Sequence, residues 1–176
     1  MSNITIKKPE NANKLLPGIC IFSDDDNNIF ASEFIKRGFI VISITNKDKI
    51  ELIDTIKNIE CLDQERIVTI GLGKHGLDSL EFTKSCDLIK ATITISIKDT
   101  GKTINNLEEI KTPVLVVHSS IDSNQGFGLS IYHKLVGENK TYLVIPDEVH
   151  ADLSVCNKVN HIPFDYLEKY IKKHIK

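Results

Sequence analysis

Short apolar runs alternate with helical stripes along the whole chain, and no other feature of the sequence restricts the fold as much. Ile19-Cys20-Ile21-Phe22 is a continuous apolar run after Pro17-Gly18, the pattern of a strand buried on both faces. Ile29, Phe30, Phe34 and Ile35 then fall on one helical stripe, which Gly38 ends. The alternation continues with a strand over 39–44, a helix carrying Ile50, Ile53, Ile56 and Ile59, and a strand over 66–70. A helix from Leu77 through Leu80 to Phe82 leads to a strand over 91–97, and a short helical piece surrounds Leu107. Pro113-Val114-Leu115-Val116-Val117-His118 is the clearest strand. A helix over 129–136 ends at Gly137, and a strand over 142–145 ends at Pro146. Phe164, Leu167, Ile171 and Ile175 mark a last helix. Strands apolar on both faces, alternating with helices, predict an α/β fold: a mostly parallel sheet with helices on both faces. Ile4-Thr5-Ile6 is a candidate additional edge strand. No repeat, low-complexity tract or linker interrupts the pattern, so residues 1–176 are read as a single domain.

Composition removes several function classes. Lys and Arg total 22 against 24 Asp and Glu, a net charge of −2, which gives no electrostatic basis for nucleic acid or an anionic membrane as partner. Only Arg37 and Arg66 are arginines, and bidentate reading of phosphates and base edges depends on arginine. Cys20, Cys61, Cys86 and Cys156 form no CxxC pair and suit neither a zinc site nor a disulfide scaffold. No apolar stretch reaches signal-peptide or membrane-spanning length. The expectation is a cytoplasmic protein with no cofactor and no metal, binding a small-molecule ligand; nothing in the sequence sets its oligomeric state.

In a doubly wound sheet, ligands bind beyond the carboxyl ends of the strands. After the first buried strand stands Ser23-Asp24-Asp25-Asp26-Asn27-Asn28, which reads as an Asx-rich turn capping the next helix, or else as oxygen ligands for a hard cation. After the third stands Gly71-Leu72-Gly73-Lys74-His75-Gly76. Taken literally this is G-x-G-x-x-G, a nucleotide-binding pattern through Gly71, Gly73 and Gly76, with Asp99 as the ribose acid. That fingerprint normally opens its unit, however, and two strand–helix pairs precede it here. Strand, tight glycine turn and helix is also the shape of a nucleophile elbow, G-x-S-x-G.

Further segments extend the second reading. Residues 63–71, Asp63-Gln64-Glu65-Arg66-Ile67-Val68-Thr69-Ile70-Gly71, resemble the approach to that elbow in α/β-hydrolases. Residues 110–122, from Ile110 through Pro113-Val114-Leu115 to His118 and Asp122, look like the I-x-x-P-V-L-x-x-H-G-x-x-D segment of the family. Val144-Ile145-Pro146-Asp147-Glu148-Val149-His150-Ala151-Asp152 is similar to the closing segment that carries its histidine, and Lys36-Arg37-Gly38-Phe39-Ile40-Val41 matches a helix-to-strand step of dienelactone-hydrolase-like members. The resemblance spans residues 16–175 and implies a minimal α/β-hydrolase fold without a lid, related to dienelactone hydrolases and small carboxylesterases. It assigns Asp122 as the acid and His150 as the base, which should lie within hydrogen-bonding reach of each other. It also puts Gly73 at the nucleophile position, where no Ser, Cys or Asp stands. Asp24 and Asp25 replace the residues that relatives place near the oxyanion hole, adding negative charge where negative charge must develop. The resemblance thus implies a protein impaired as a serine esterase and acting as a binding protein. The alternative is an active hydrolase with displaced or metal-assisted machinery built from His75, His118, Asp122 and His150.

Overall fold

The computed structural model describes residues 4–10, 13–45, 49–146 and 151–176. Among them are seven strands: β1 (Ile4–Lys7), β2 (Leu16–Phe22), β3 (Ile40–Ile44), β4 (Leu62–Leu72), β5 (Ile89–Ile95), β6 (Val114–Ser119) and β7 (Lys140–Ile145). The helices are α1 (Ile29–Lys36), α2 (Lys49–Lys57), α3 (Gly76–Ser85), α4 (Gln125–Lys134) and α5 (Phe164–His174). One sheet of order β1-β3-β2-β4-β5-β6-β7 holds all seven strands. Every pairing is parallel except β1 on β3, so the N-terminal segment does add an edge strand, in the antiparallel sense.

Burial follows from the apolar runs. Ile67, Val68 and Ile70 of β4 and Val114 to Val117 of β6 are almost fully enclosed, because neighbouring strands and both helical layers cover them. On one face, Phe30 and Phe34 of α1 and Phe164, Leu167 and Ile171 of α5 pack over Ile19, Ile21, Ile70 and Ile93. On the other, Leu52 and Ile56 of α2 cover Cys20, Ile40 and Ile42, while Leu80 of α3 and Ile131 of α4 cover Val114 and Val116. Arg37 ties α1 to α5 through Glu168 at 2.5 Å and Asp165 at 2.8 Å. All four cysteines are free thiols. Burial beside Cys86 pushes the Cys20 thiol far above its ordinary pKa. No helix among the described residues is long and apolar enough to cross a membrane.

The boundaries moved where polar residues take part in regular structure. β4 begins at Leu62 rather than 66, with Arg66 Nε held by Asp63 Oδ2 at 2.7 Å. α4 begins at Gln125, four residues before the apolar stripe at 129, because Gly126 and Gly128 are accommodated inside it.

Candidate functional site

The turn after β4 is the centre of the site. At Gly71 an added Cβ would overlap Ser79 Oγ and come within 2.7 Å of the Gly76 Cα, and at Gly76 it would meet Ile97 at 2.6 Å. These two glycines let strand, turn and helix touch directly, and protein atoms fill the space beside them. That is the close strand-to-helix packing of an elbow; it leaves no gap for a phosphate on the side where either Cβ would be.

Gly73 is the apex. Its φ of +55° lies in the left-handed region, which glycine reaches without the cost borne by other residues. A Cβ there would lie 2.8 Å from Ser154 Oγ, so a hydroxyl from a distant segment stands where a side chain at position 73 would project. Ser154 sits in a 3-10 turn (Leu153–Val155) capped by Asp152, whose Oδ1 accepts from the Ser154 hydroxyl at 2.5 Å. Lys98, just past β5, pairs with Asp152 Oδ2 at 2.5 Å. The Leu153 N–H donates to Ser96 Oγ at 3.0 Å, which docks this turn on the sheet. Sequence reasoning passed over Ser154 and Lys98, whose only signal was position after a strand, and gave no role to Asp152, the last residue of the segment that resembles the histidine-bearing one.

The loop after β2 closes the other side. Asn28 caps α1, its Oδ1 accepting from the Ala31 N–H at 2.9 Å, which is the capping role read from the sequence. Each aspartate in the loop has work of its own. Asp24 pairs with Lys74 at 2.8 Å and with His75 Nε2 at 3.0 Å, Asp25 accepts from the Asn27 N–H, and Asp26 accepts from Thr5 Oγ1. The expected unopposed negative charge at Asp24 is therefore met by a lysine and an imidazole, which hold its carboxyl below the ordinary range. His75 bridges loop and helix, because its Nδ1 meets the buried Asp78 at 3.0 Å. Lys102 pairs with Asp78 at 3.0 Å and with Glu81 at 2.6 Å, extending the network.

That bridge gives a pH dependence. The Asp78 hydrogen bond, opposed by burial and helped by Asp24, raises the His75 pKa above the ordinary imidazole value. A raised folded-state pKa means the stabilisation is fully present below the unfolded pKa of about 6.5 and is lost as pH rises through the folded value. Melting temperatures of the wild type and His75→Gln, followed from pH 5 to 9, are expected to differ most on the acid side and converge on the alkaline side. A constant difference across that range would remove the imidazolium from the account.

Between these segments lies a cavity of about 360 Å³, with Asp24, Lys74, Lys98 and Ser154 on its polar wall and Ile29 and Val155 on its apolar one. A more open furrow of about 880 Å³ runs between β1 and α2, past Ile6 and Ile50, away from these groups.

Asp122 lies just past β6 and is 7 % exposed. Its Oδ2 meets His118 Nδ1 at 2.8 Å and its Oδ1 accepts from the Asn124 N–H at 2.8 Å. Burial alone would raise this carboxyl, yet the Asn124 N–H, His118 and Ser96 together hold it below the ordinary carboxylate range. His118 is itself fully buried and stacks on Tyr142, ring centroids 6.0 Å apart. The proposed partner His150 lies outside the described residues, so the expected Asp122–His150 bond does too. Of the four residues named for a metal, His75 is held by Asp24 and Asp78 and His118 by Asp122. Among the described residues no group of three or more His, Cys, Asp or Glu could hold a metal ion.

No family model matches the sequence, and no curated protein matches it either. Solved structures do. A hypothetical protein from Pseudomonas aeruginosa superposes with a TM-score of 0.82 at 15 % identity, over 97 % of this chain and 88 % of its own. A protein assigned as a dienelactone hydrolase, from Klebsiella pneumoniae, gives 0.73 at 12 % identity over 98 % and 93 %. The acylaminoacyl peptidase of Pyrococcus horikoshii gives 0.72 at 15 % identity, over 99 % of this chain but 40 % of the peptidase. With the elbow turn at Gly73 and the single, mostly parallel sheet, these likenesses give the chain the α/β-hydrolase fold.

Proposed function

We propose that this α/β-hydrolase-fold protein binds a small polar ligand in the elbow cavity and forms no acyl-serine at the elbow. The observation that carries the reading is Gly73, whose absent side chain leaves room that the Ser154 hydroxyl takes up. Loss of a nucleophile leaves a serine hydrolase with only about 10³ to 10⁴-fold catalysis over water, and that remainder depends on its oxyanion donors. Paired lysines and aspartates with serine and asparagine on the walls suit a polar ligand rather than an acyl chain. Four free thiols accord with a reducing cytoplasm.

A second reading, a hydrolase whose nucleophile has moved, is favoured by Ser154 alone. Asp152 would be its base, but a carboxylate already shared with the Lys98 ammonium is a weak base toward a serine hydroxyl. One experiment separates the two. The full chain is incubated with a fluorophosphonate probe and an activated aryl ester. The expected result is neither labelling nor turnover, in the wild type and in Gly73→Ser, where the new side chain meets both a left-handed φ and Ser154. Labelling lost in Ser154→Ala would establish the moved nucleophile. Turnover lost in His150→Ala would establish the acid–base pair Asp122 and His150, and either result would overturn the binding reading.

A further inference from the structure

A second cavity, about 400 Å³, lies between the start of β7 and the last turns of α5. It shares no lining residue with the elbow cavity. Lys169, Lys173 and His174 of α5 line it, faced by a single acid, Glu138. Lys140 also lines it, but its ammonium is occupied, donating to the Tyr132 carbonyl at 3.1 Å and the Leu135 carbonyl at 2.5 Å. Among the described residues Lys169 and Lys173 have no acidic partner. Basic residues in the last turn of a helix complement its dipole, which accounts for Lys172, Lys173 and His174 as a group.

The dipole does not account for Tyr170. This residue is 8 % exposed and lines the same cavity, its ring 4.7 Å from that of His174. Its hydroxyl is buried with no hydrogen-bond partner. A buried donor left unsatisfied is costly, and phenylalanine would fill the same space without that cost. Burial raises the Tyr170 pKa, so the group remains a donor across the physiological range. Tyr166, 41 % exposed, adds an aromatic wall.

We propose that this groove binds a small molecule through an oxyanion, a phosphate or a carboxylate, with Tyr170 Oη as the buried donor and Lys169 and Lys173 as counter-charges. The volume lies within the range of about 300 to 1,000 Å³ usual for small-molecule sites. Tyr166 and the His174 ring favour a ligand whose oxyanion is carried on a flat, apolar body.

The test is a titration of the full chain with inorganic phosphate, phenyl phosphate and benzoate, at constant ionic strength, followed by NMR of the tyrosine and histidine side chains. The Tyr170 and His174 signals are expected to shift saturably with at least one probe; which one responds assigns phosphate or carboxylate. Tyr170→Phe is expected to bind that probe about tenfold more weakly, the worth of one hydrogen bond to a charged group. Its melting temperature should equal or exceed that of the wild type, since the hydroxyl it removes has no partner in the free protein. The exposed change Lys173→Gln should also weaken binding without unfolding the chain. No saturable shift with any probe up to about 20 mM would overturn the proposal. So would equal affinity in wild type and Tyr170→Phe.

Discussion

Gly128→Ala is expected to lower the unfolding free energy by about 3 kcal/mol, while Gly126→Ala, two positions earlier on α4, raises it by about 0.5 kcal/mol. A Cβ at Gly128 would fall inside contact distance of His118 Nε2, whereas one at Gly126 meets nothing within 4 Å. The His118 ring cannot yield, because Asp122 holds its Nδ1 and Tyr142 stacks on its face. Its Nε2 is buried without a partner, so the helix backbone stands where a ligand of that nitrogen would be. At Gly126 the helix gains alanine's propensity and nothing is displaced. Urea unfolding of the two variants checks both signs. In a protein of this size a loss of 3 kcal/mol corresponds to roughly 6–12 °C in melting temperature. Equal effects at the two positions would mean that α4 shifts freely along the sheet.

Asp122→Ala is expected to destabilise the protein by about 3 kcal/mol, whatever it does to binding or catalysis, because it breaks a buried, hydrogen-bonded pair. The carboxylate serves His118, the Asn124 N–H and Ser96 together, joining β6, the start of α4 and the residue after β5. A residue present only to orient a reacting histidine would be removed at little cost to stability. Chemical denaturation of Asp122→Ala and Asp122→Asn decides the matter, with the asparagine variant keeping part of the hydrogen bonding and losing less. A loss below about 1 kcal/mol for the alanine variant would return Asp122 to a purely functional role.

These two positions show what could be read from the sequence and what could not. The strands β2, β4 and β6 were legible because burial on both faces demands uninterrupted apolar runs, and few other structures do. α4 was placed late because its apolar stripe starts only at Leu129, whereas the helix begins at Gln125 and closes on a side chain from the sheet at Gly128. His118 and Asp122 were recognised as members of one motif, but a strand residue and a turn residue four positions apart give no sign of facing each other. The glycine at the apex of the turn was plain, since only identity at one position was needed. The hydroxyl beside it was not: Ser154 arrives through a turn after β7, its hydroxyl held by Asp152, which in turn pairs with Lys98 just past β5. Such convergence depends on topology, which spacing along the chain does not encode.

The short strand β1 has a consequence beyond extending the sheet. Thr5 Oγ1 donates to Asp26 Oδ2 at 2.9 Å, and Lys7 Nζ donates to the Asp26 carbonyl at 3.1 Å and to Asn27 Oδ1 at 2.5 Å. The loop that walls the elbow cavity is thus laced from outside by the four-residue strand at the margin of the sheet. Marginal strands of this length open at small free-energy cost, and their amides exchange with solvent long before those of the interior. Each fraying of β1 breaks the bonds that tie Asp26 and Asn27 to the sheet margin. A molecule resting against Asp25 and Asn28 would slow deuterium uptake at Thr5 and Lys7, which it never touches.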